Sequence, residues 1–114
     1  MAKILIVDDD KDMRQLLSDI LKSEGYEVRT AESGKKALKE IKVIRPEIVL
    51  LDIRLPEMNG IEILKEIKKL NKSIIVIIIT AYGEIQNAVD AMKLGAFDYF
   101  TKPFHNEEII LDIK

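Results

Sequence analysis

Four aspartates, a threonine and a lysine fall where apolar runs of this chain stop. Asp8, Asp9 and Asp10 follow KILIV, Asp52 follows EIVLL, Thr80 closes IIVIIIT, and Lys102 follows FDYFT. Carboxylates brought together in one cleft repel each other, and a bound divalent cation removes that penalty. Magnesium is held by oxygen ligands, usually one or two carboxylates plus waters, and completes its shell with phosphate. A lysine near such acids can neutralise the oxygens of a transferring phosphoryl group, and a hydroxyl such as that of Thr80 can donate a hydrogen bond to one. Taken alone, Asp8–Asp10 would only start a helix, where acids suit the positive end of the dipole. Asp52 at the end of a second strand argues for a shared pocket that handles phosphate.

The elements that must position these groups are legible as five short apolar runs alternating with five amphipathic stretches. The runs are Lys3–Val7, Tyr26–Thr30, Glu47–Leu51, Ile74–Thr80 and Phe97–Thr101. Between them, apolar residues recur at helical spacing: Met13, Leu16, Leu17, Ile20 and Leu21; Ala37, Leu38, Ile41 and Ile44; Ile63, Leu64, Ile67 and Leu70; Ile85, Ala88, Val89 and Met92. A fifth helix is expected from Glu107, with Ile109, Ile110 and Ile113 inward. Gly25 and Gly95 follow the first and fourth stripes as helix C-terminal glycines do, and Ser33 and Asn106 precede the second and fifth as N-caps. Pro46 and Pro56 fall in connections.

Unbroken apolar strands alternating with helices predict an α/β domain, a parallel sheet covered on both faces in a three-layer α/β/α sandwich. The first, third and fourth strands are the most apolar and belong at the centre. Glu27 and Arg29 mark the second as an edge. In such sheets, sites form beyond the carboxyl ends of the strands where the winding direction switches.

Composition narrows the chemistry. The 114 residues suffice for one domain, and 18 basic against 20 acidic residues leave a formal net charge of −2, with no basic excess for direct nucleic-acid binding. The absence of cysteine and the single histidine, His105, exclude thiolate chemistry and Cys- or His-built metal clusters. Any metal must therefore sit on oxygen ligands: Mg²⁺, Ca²⁺ or Mn²⁺. No run approaches the roughly 20 apolar residues of a membrane span, so the chain is expected in the cytoplasm and off the membrane. The basic clusters Lys35-Lys36 and Lys65…Lys69 alternate with Glu and read as solvated helix faces.

The motifs ILIVDDD, IVLLDIRLPEMNG, IIITA and FDYFTKPF, in that order across residues 1–114, resemble the receiver domain of bacterial two-component response regulators. The resemblance implies a flavodoxin-like fold with strand order 2-1-3-4-5. It makes Asp52 the phosphoacceptor, charged by a sensor histidine kinase or a histidine phosphotransfer protein. It assigns Mg²⁺, with Mn²⁺ as a substitute, to Asp9 directly, to Asp8 through water, to Asp52 and to the backbone carbonyl of Arg54. Thr80 and Lys102 would bind phosphoryl oxygens, the Lys102–Pro103 bond would be cis, and Tyr99 would be the switch aromatic. Arg54 and Tyr82, two residues after Asp52 and Thr80, are expected to tune dephosphorylation. The fourth helix, fifth strand and fifth helix form the expected reporting surface and the place for a homodimer. Asp10 is left as a cap or solvated acid.

Three other readings compete. A magnesium-dependent phosphatase built on Asp8 and Asp10 leaves Asp52 and Lys102 unexplained. A flavodoxin-like FMN carrier would meet repulsion from the acids at the first strand. A degenerate receiver would lack site residues that are all present here. The expectation is thus a phosphorylatable signalling domain rather than a turnover enzyme. TAYGEIQNAVDAMKLGAFDYFTKPF is similar to receivers of enhancer-binding transcription activators, and RPEIVLLDIRLPEMNGIEIL to a single-domain phosphorelay intermediate. The unfinished fifth helix favours the regulatory domain of a transcription factor, with an output domain beyond Lys114, over a stand-alone receiver.

Overall fold

A computed structural model describes residues 2–55, 57–80, 85–101 and 106–113. Strands and helices alternate throughout: β1 (Lys3–Val7), α1 (Lys11–Ser23), β2 (Glu27–Ala31), α2 (Gly34–Ile44), β3 (Ile48–Asp52), α3 (Gly60–Leu70), β4 (Ile75–Thr80), α4 (Ile85–Lys93), β5 (Asp98–Thr101) and α5 (Asn106–Ile113). All pairings are parallel, in the order β2-β1-β3-β4-β5. The expected topology holds, with the three most apolar strands central and β2 at an edge. Strand boundaries agree with expectation to within one residue, and α5 begins at Asn106 itself, one residue before the expected start.

Alternation along the strands separates two cores. Ile4, Ile6, Ile48, Leu50, Ile77 and Ile79 face α1 and α5, where Leu17, Leu21 and Ile113 meet them. Leu5, Val7, Val49, Leu51, Val76 and Ile78 face α2, α3 and α4, against Ala37, Ile41, Ile63, Leu64, Ile67, Ala88 and Ala91. A fully buried Leu or Ile side chain contributes roughly 1.5–3 kcal/mol through removal from water. The central strands are therefore the rigid base on which their carboxyl ends are held.

Helix starts are set by side-chain caps. Asp10 Oδ1 accepts from the N–H groups of Asp12 (2.9 Å) and Met13 (3.3 Å). Ser33 Oγ accepts from Lys36 N–H at 3.2 Å, and Asn59 Oδ1 from Ile61 N–H at 2.7 Å. Gly25 and Gly95 take φ of +93° and +105°, as expected after helix ends, and Arg45 ends α2 at φ 49° without the glycine this region favours.

Three expected stripes are corrected, one of them at Leu70, which closes the third stripe yet is 45% exposed. Leu16 is 47% exposed although Leu17 and Leu21 are buried. On α4 the buried residues are Ala88 and Ala91, whereas Val89 and Met92 are 37% and 38% exposed. Among the described side chains of α4, the small ones rather than the large ones fill the contact with the sheet.

Candidate functional site

β1 and β3 are neighbours, and the chain leaves them for opposite flanks, to β2 on one side and to β4 on the other. This is the switch in winding, and the acids fall there. One carboxylate oxygen from each of Asp8, Asp9 and Asp52 lies within 4.8 Å of the others. Asp8 and Asp52 are 2% and 5% exposed, and Asp9 is exposed. Two buried acids thus form the floor, and a solvent-facing acid forms the rim.

Backbone donors fix both buried carboxylates. Asp10 N–H donates to Asp8 Oδ1 at 2.9 Å, and Arg54 N–H donates to Asp52 Oδ1 at 3.0 Å. Each is the N–H two residues on, the local turn that aspartate side chains favour after a strand. Arg14, from α1, donates through Nη1 to the Asp8 carbonyl at 2.8 Å. Beyond Asp52, Ile53 N–H donates to Ile79 O at 3.3 Å, tying the end of β3 to the last residues of β4.

Glycine 60 closes the site from below. Its N–H donates to Ile53 O at 2.8 Å. A Cβ there would stand 2.5 Å from Ile53 Cα, 2.8 Å from Ile53 O and 3.0 Å from Asp52 O. All three are backbone atoms, so they cannot swing aside. Only glycine lets α3 begin directly against the segment that carries Asp52. Neither Gly60, Asn59 nor Arg14 was picked out from sequence. The Asn-Gly step before an amphipathic stretch was the available signal for the first two.

The other expected site residues are distributed as follows. Arg54 is exposed, with its backbone at the site through the hydrogen bond to Asp52. Tyr99 is half-buried, opposite Ile78, and packs on the α2, α3 and α4 side of the sheet. Thr80 ends β4 opposite Thr101, one residue beyond the level of Asp52. The Thr80 side chain, Tyr82, Lys102 and Pro103 lie outside the described residues, as does His105. Asp10 turns from the cluster to cap α1, the role left to it by the sequence.

The donor set is all oxygen, partly buried, and gathered at the carboxyl ends of two central strands, with no sulfur or imidazole among the described ligands. That chemistry fits a hard divalent cation such as Mg²⁺. Doubly wound α/β domains place cations and phosphates at this position. Residues 4–114 match the family model described as response regulator receiver domain. The chain belongs to the response regulator receiver domain family, a family of signalling domains.

Its relatives divide by architecture. It is 44% identical over 112 residues to regulatory protein AtoC of Escherichia coli (strain K12), covering 98% of this chain and 24% of AtoC. It is 47% identical over 107 residues to sporulation initiation phosphotransferase F of Bacillus subtilis (strain 168), covering 94% of this chain and 86% of that protein. The chain thus spans about a quarter of one relative and most of the other. A crystal structure of a response regulator receiver domain protein from Clostridium thermocellum superposes with a TM-score of 0.95 at 36% identity, over 99% of this chain and 91% of that one. Among the described residues, no helix is long and apolar enough to cross a membrane.

Proposed function

We propose that Asp52 accepts a phosphoryl group from the phosphohistidine of a sensor histidine kinase or histidine phosphotransfer protein. The single observation that carries this reading is the buried Asp52 carboxylate gathered with Asp8 and Asp9 within 4.8 Å. A carboxylate oxygen of Asp52 forms the new P–O bond as the P–N bond breaks, and the histidine nitrogen leaves with the electron pair. Transfer through a loose transition state needs positioning and charge stabilisation more than acid–base chemistry. That agrees with a site built from aspartates.

The hydrogen bond from Arg54 N–H fixes the Asp52 carboxylate for this attack. Asp9 and Asp52, with the Arg54 carbonyl, would hold Mg²⁺ or Mn²⁺, and Asp8 would act through water. When bound, the cation would offset the negative charge of the carboxylates and the incoming phosphoryl oxygens. Thr80 and Lys102 then bind the phosphoryl oxygens. The domain thereby assists its own phosphorylation and dephosphorylation without acting on an external substrate. Exposed Arg54, with Tyr82, shields the phosphoryl group from water. Arg54→Ala should therefore shorten the life of the phosphorylated form, and an unchanged lifetime would reject that role.

Phosphorylation must favour the active state by roughly 5.5 kcal/mol to take it from 1:99 to 99:1. Movement of Thr80 and inward rotation of Tyr99 carry that preference to α4, β5 and α5, the surface for output or homodimer formation. The relatives named as transcriptional regulatory proteins, ZraR of Escherichia coli and the CpxR homolog of Haemophilus influenzae, support transcription as the output of a longer protein in which residues 1–114 form the receiver. The experiment is to incubate the protein with Mg²⁺ and acetyl phosphate and measure its mass. Wild type should gain one phosphoryl group and Asp52→Asn none. An equal adduct on Asp52→Asn would overturn the assignment.

A further inference from the structure

We propose that the outer edge of β2 is a docking strand for an extended acidic peptide of a partner protein. β2 pairs only with β1 among the described strands. Glu27 N–H donates to Ala2 O, and Ala31 O accepts from Asp8 N–H, so alternate residues from Glu27 to Ala31 spend their backbone groups on β1. By that parity Val28 and Thr30 turn their N–H and C=O groups outward. Both residues line a cavity of about 450 Å³ that also touches α1 and α2. Since α1 and α2 cover opposite faces of the sheet, a cavity touching both spans the strand edge.

Its walls are basic. Lys11, Arg14 and Lys22 of α1, Arg29 of β2 and Lys36 of α2 line it, against one acid, Glu40. This segregation occurs in a chain whose net charge is −2. Lys36 is ion-paired with Glu32 at 3.1 Å, an exposed pair that contributes little, and Arg14 is anchored on the Asp8 carbonyl. From Lys11 to Lys22 the helix rises about 16 Å, the length of about five extended residues. The cations thus run the length of one added strand.

Strand addition supplies main-chain hydrogen bonds, while flanking groups select the sequence. Here they select carboxylates. No aromatic residue lines the cavity, so a single-stranded nucleic acid would find no stacking surface. A second copy of the chain would bring two basic rims together. The proposal is independent of what Asp52 does.

The test is titration of the ¹⁵N-labelled protein with the acetylated, amidated hexapeptide EVEVEV, followed by NMR. Saturable shifts are expected at the Val28 and Thr30 amides and along α1 at Lys11 and Lys22. KVKVKV and an alternately N-methylated EVEVEV should not bind, and Lys22→Glu or Arg29→Glu should each weaken binding roughly fivefold, the worth of an exposed charge pair. Equal binding of the N-methylated peptide, tighter binding of a thymidine hexanucleotide, self-association through β2, or no saturable shift would each overturn the proposal. The peptide and oligonucleotide arms need only wild type, so they decide even where a variant fails to fold.

Discussion

Two groups of carboxylates sit in this small domain, and they are stabilised in opposite ways. At the ends of β1 and β3, Asp8 and Asp52 each receive a backbone N–H, and Asp9 extends the cluster to solvent. At the far edge, Asp98 of β5 faces Asp112 of α5. Asp98 receives Tyr99 N–H at 2.8 Å, while Asp112 Oδ2 is buried with no hydrogen-bond partner among the described residues. Burial, the hydrogen bond to Asp98 and the negative charge of Asp98 push the Asp112 carboxyl up to about 6. The first cluster has a backbone N–H on each buried carboxylate and one acid open to solvent, an arrangement that suits a hard cation. The second pair accommodates its closeness by taking up a proton below about pH 6. Proximity of acids does not by itself identify a metal site.

The comparison can be broken from either side. The largest expected effect belongs to Gly60→Ala, which alters no carboxylate. Backbone overlap with Ile53 and Asp52 should cost roughly 3 kcal/mol or more of stability in urea unfolding and displace Asp52. A fully stable Gly60→Ala with normal phosphorylation would show that the site does not depend on this close approach. Next, Asp8→Asn keeps an acceptor for Asp10 N–H but removes charge. Mg²⁺ affinity measured by NMR titration should fall about tenfold or more, as for loss of an outer-shell ligand. Unchanged affinity would remove Asp8 from the cation site.

Asp10→Ala should cost about 1 kcal/mol through loss of the α1 cap, with phosphorylation retained. Loss of Mg²⁺ binding in that variant would return Asp10 to the cluster. The smallest effect is that of the second pair. With a folded pKa raised to about 6 from an ordinary 3.8, the native state binds more protons between those values. Asp112 therefore makes stability fall as pH rises from about 4 to 6, with no further loss above. Asp112→Asn should flatten that fall and raise stability at pH 7 by less than about 1 kcal/mol, since solvent screens a partly exposed pair. Thermal unfolding from pH 4 to 8 checks the sign, and a larger fall in the variant would refute it.

Much of this arrangement was legible from residue order because its causes are local. Continuous apolar runs gave the central strands, the charged alternation of Glu27 and Arg29 marked an edge, and acids at strand ends located the site. What escaped notice depends on approach between distant segments. Gly60 matters through its distance from Ile53, and Asp98 with Asp112 through the packing of α5 on β5, neither of which has a periodic signature. The α4 stripe was misassigned because hydrophobic spacing gives weight to Val89 and Met92, whereas close packing selects Ala88 and Ala91. Arg45 ends α2 in a conformation that pointed to glycine, so the usual punctuation was missing there.

The packing of α4 has a mechanical consequence. Among the described side chains, α3 inserts Ile63, Leu64 and Ile67 into the core, while α4 inserts only Ala88 and Ala91. Displacing α3 would uncover several large side chains of its own at roughly 1.5–3 kcal/mol each, whereas the fully buried residues among the described side chains of α4 are two alanines. A helix so lightly anchored has a low local opening free energy, and its amide protons should exchange well before those of α3. Hydrogen exchange would then show α4 opening before α3 on the face of the sheet where Tyr99 packs.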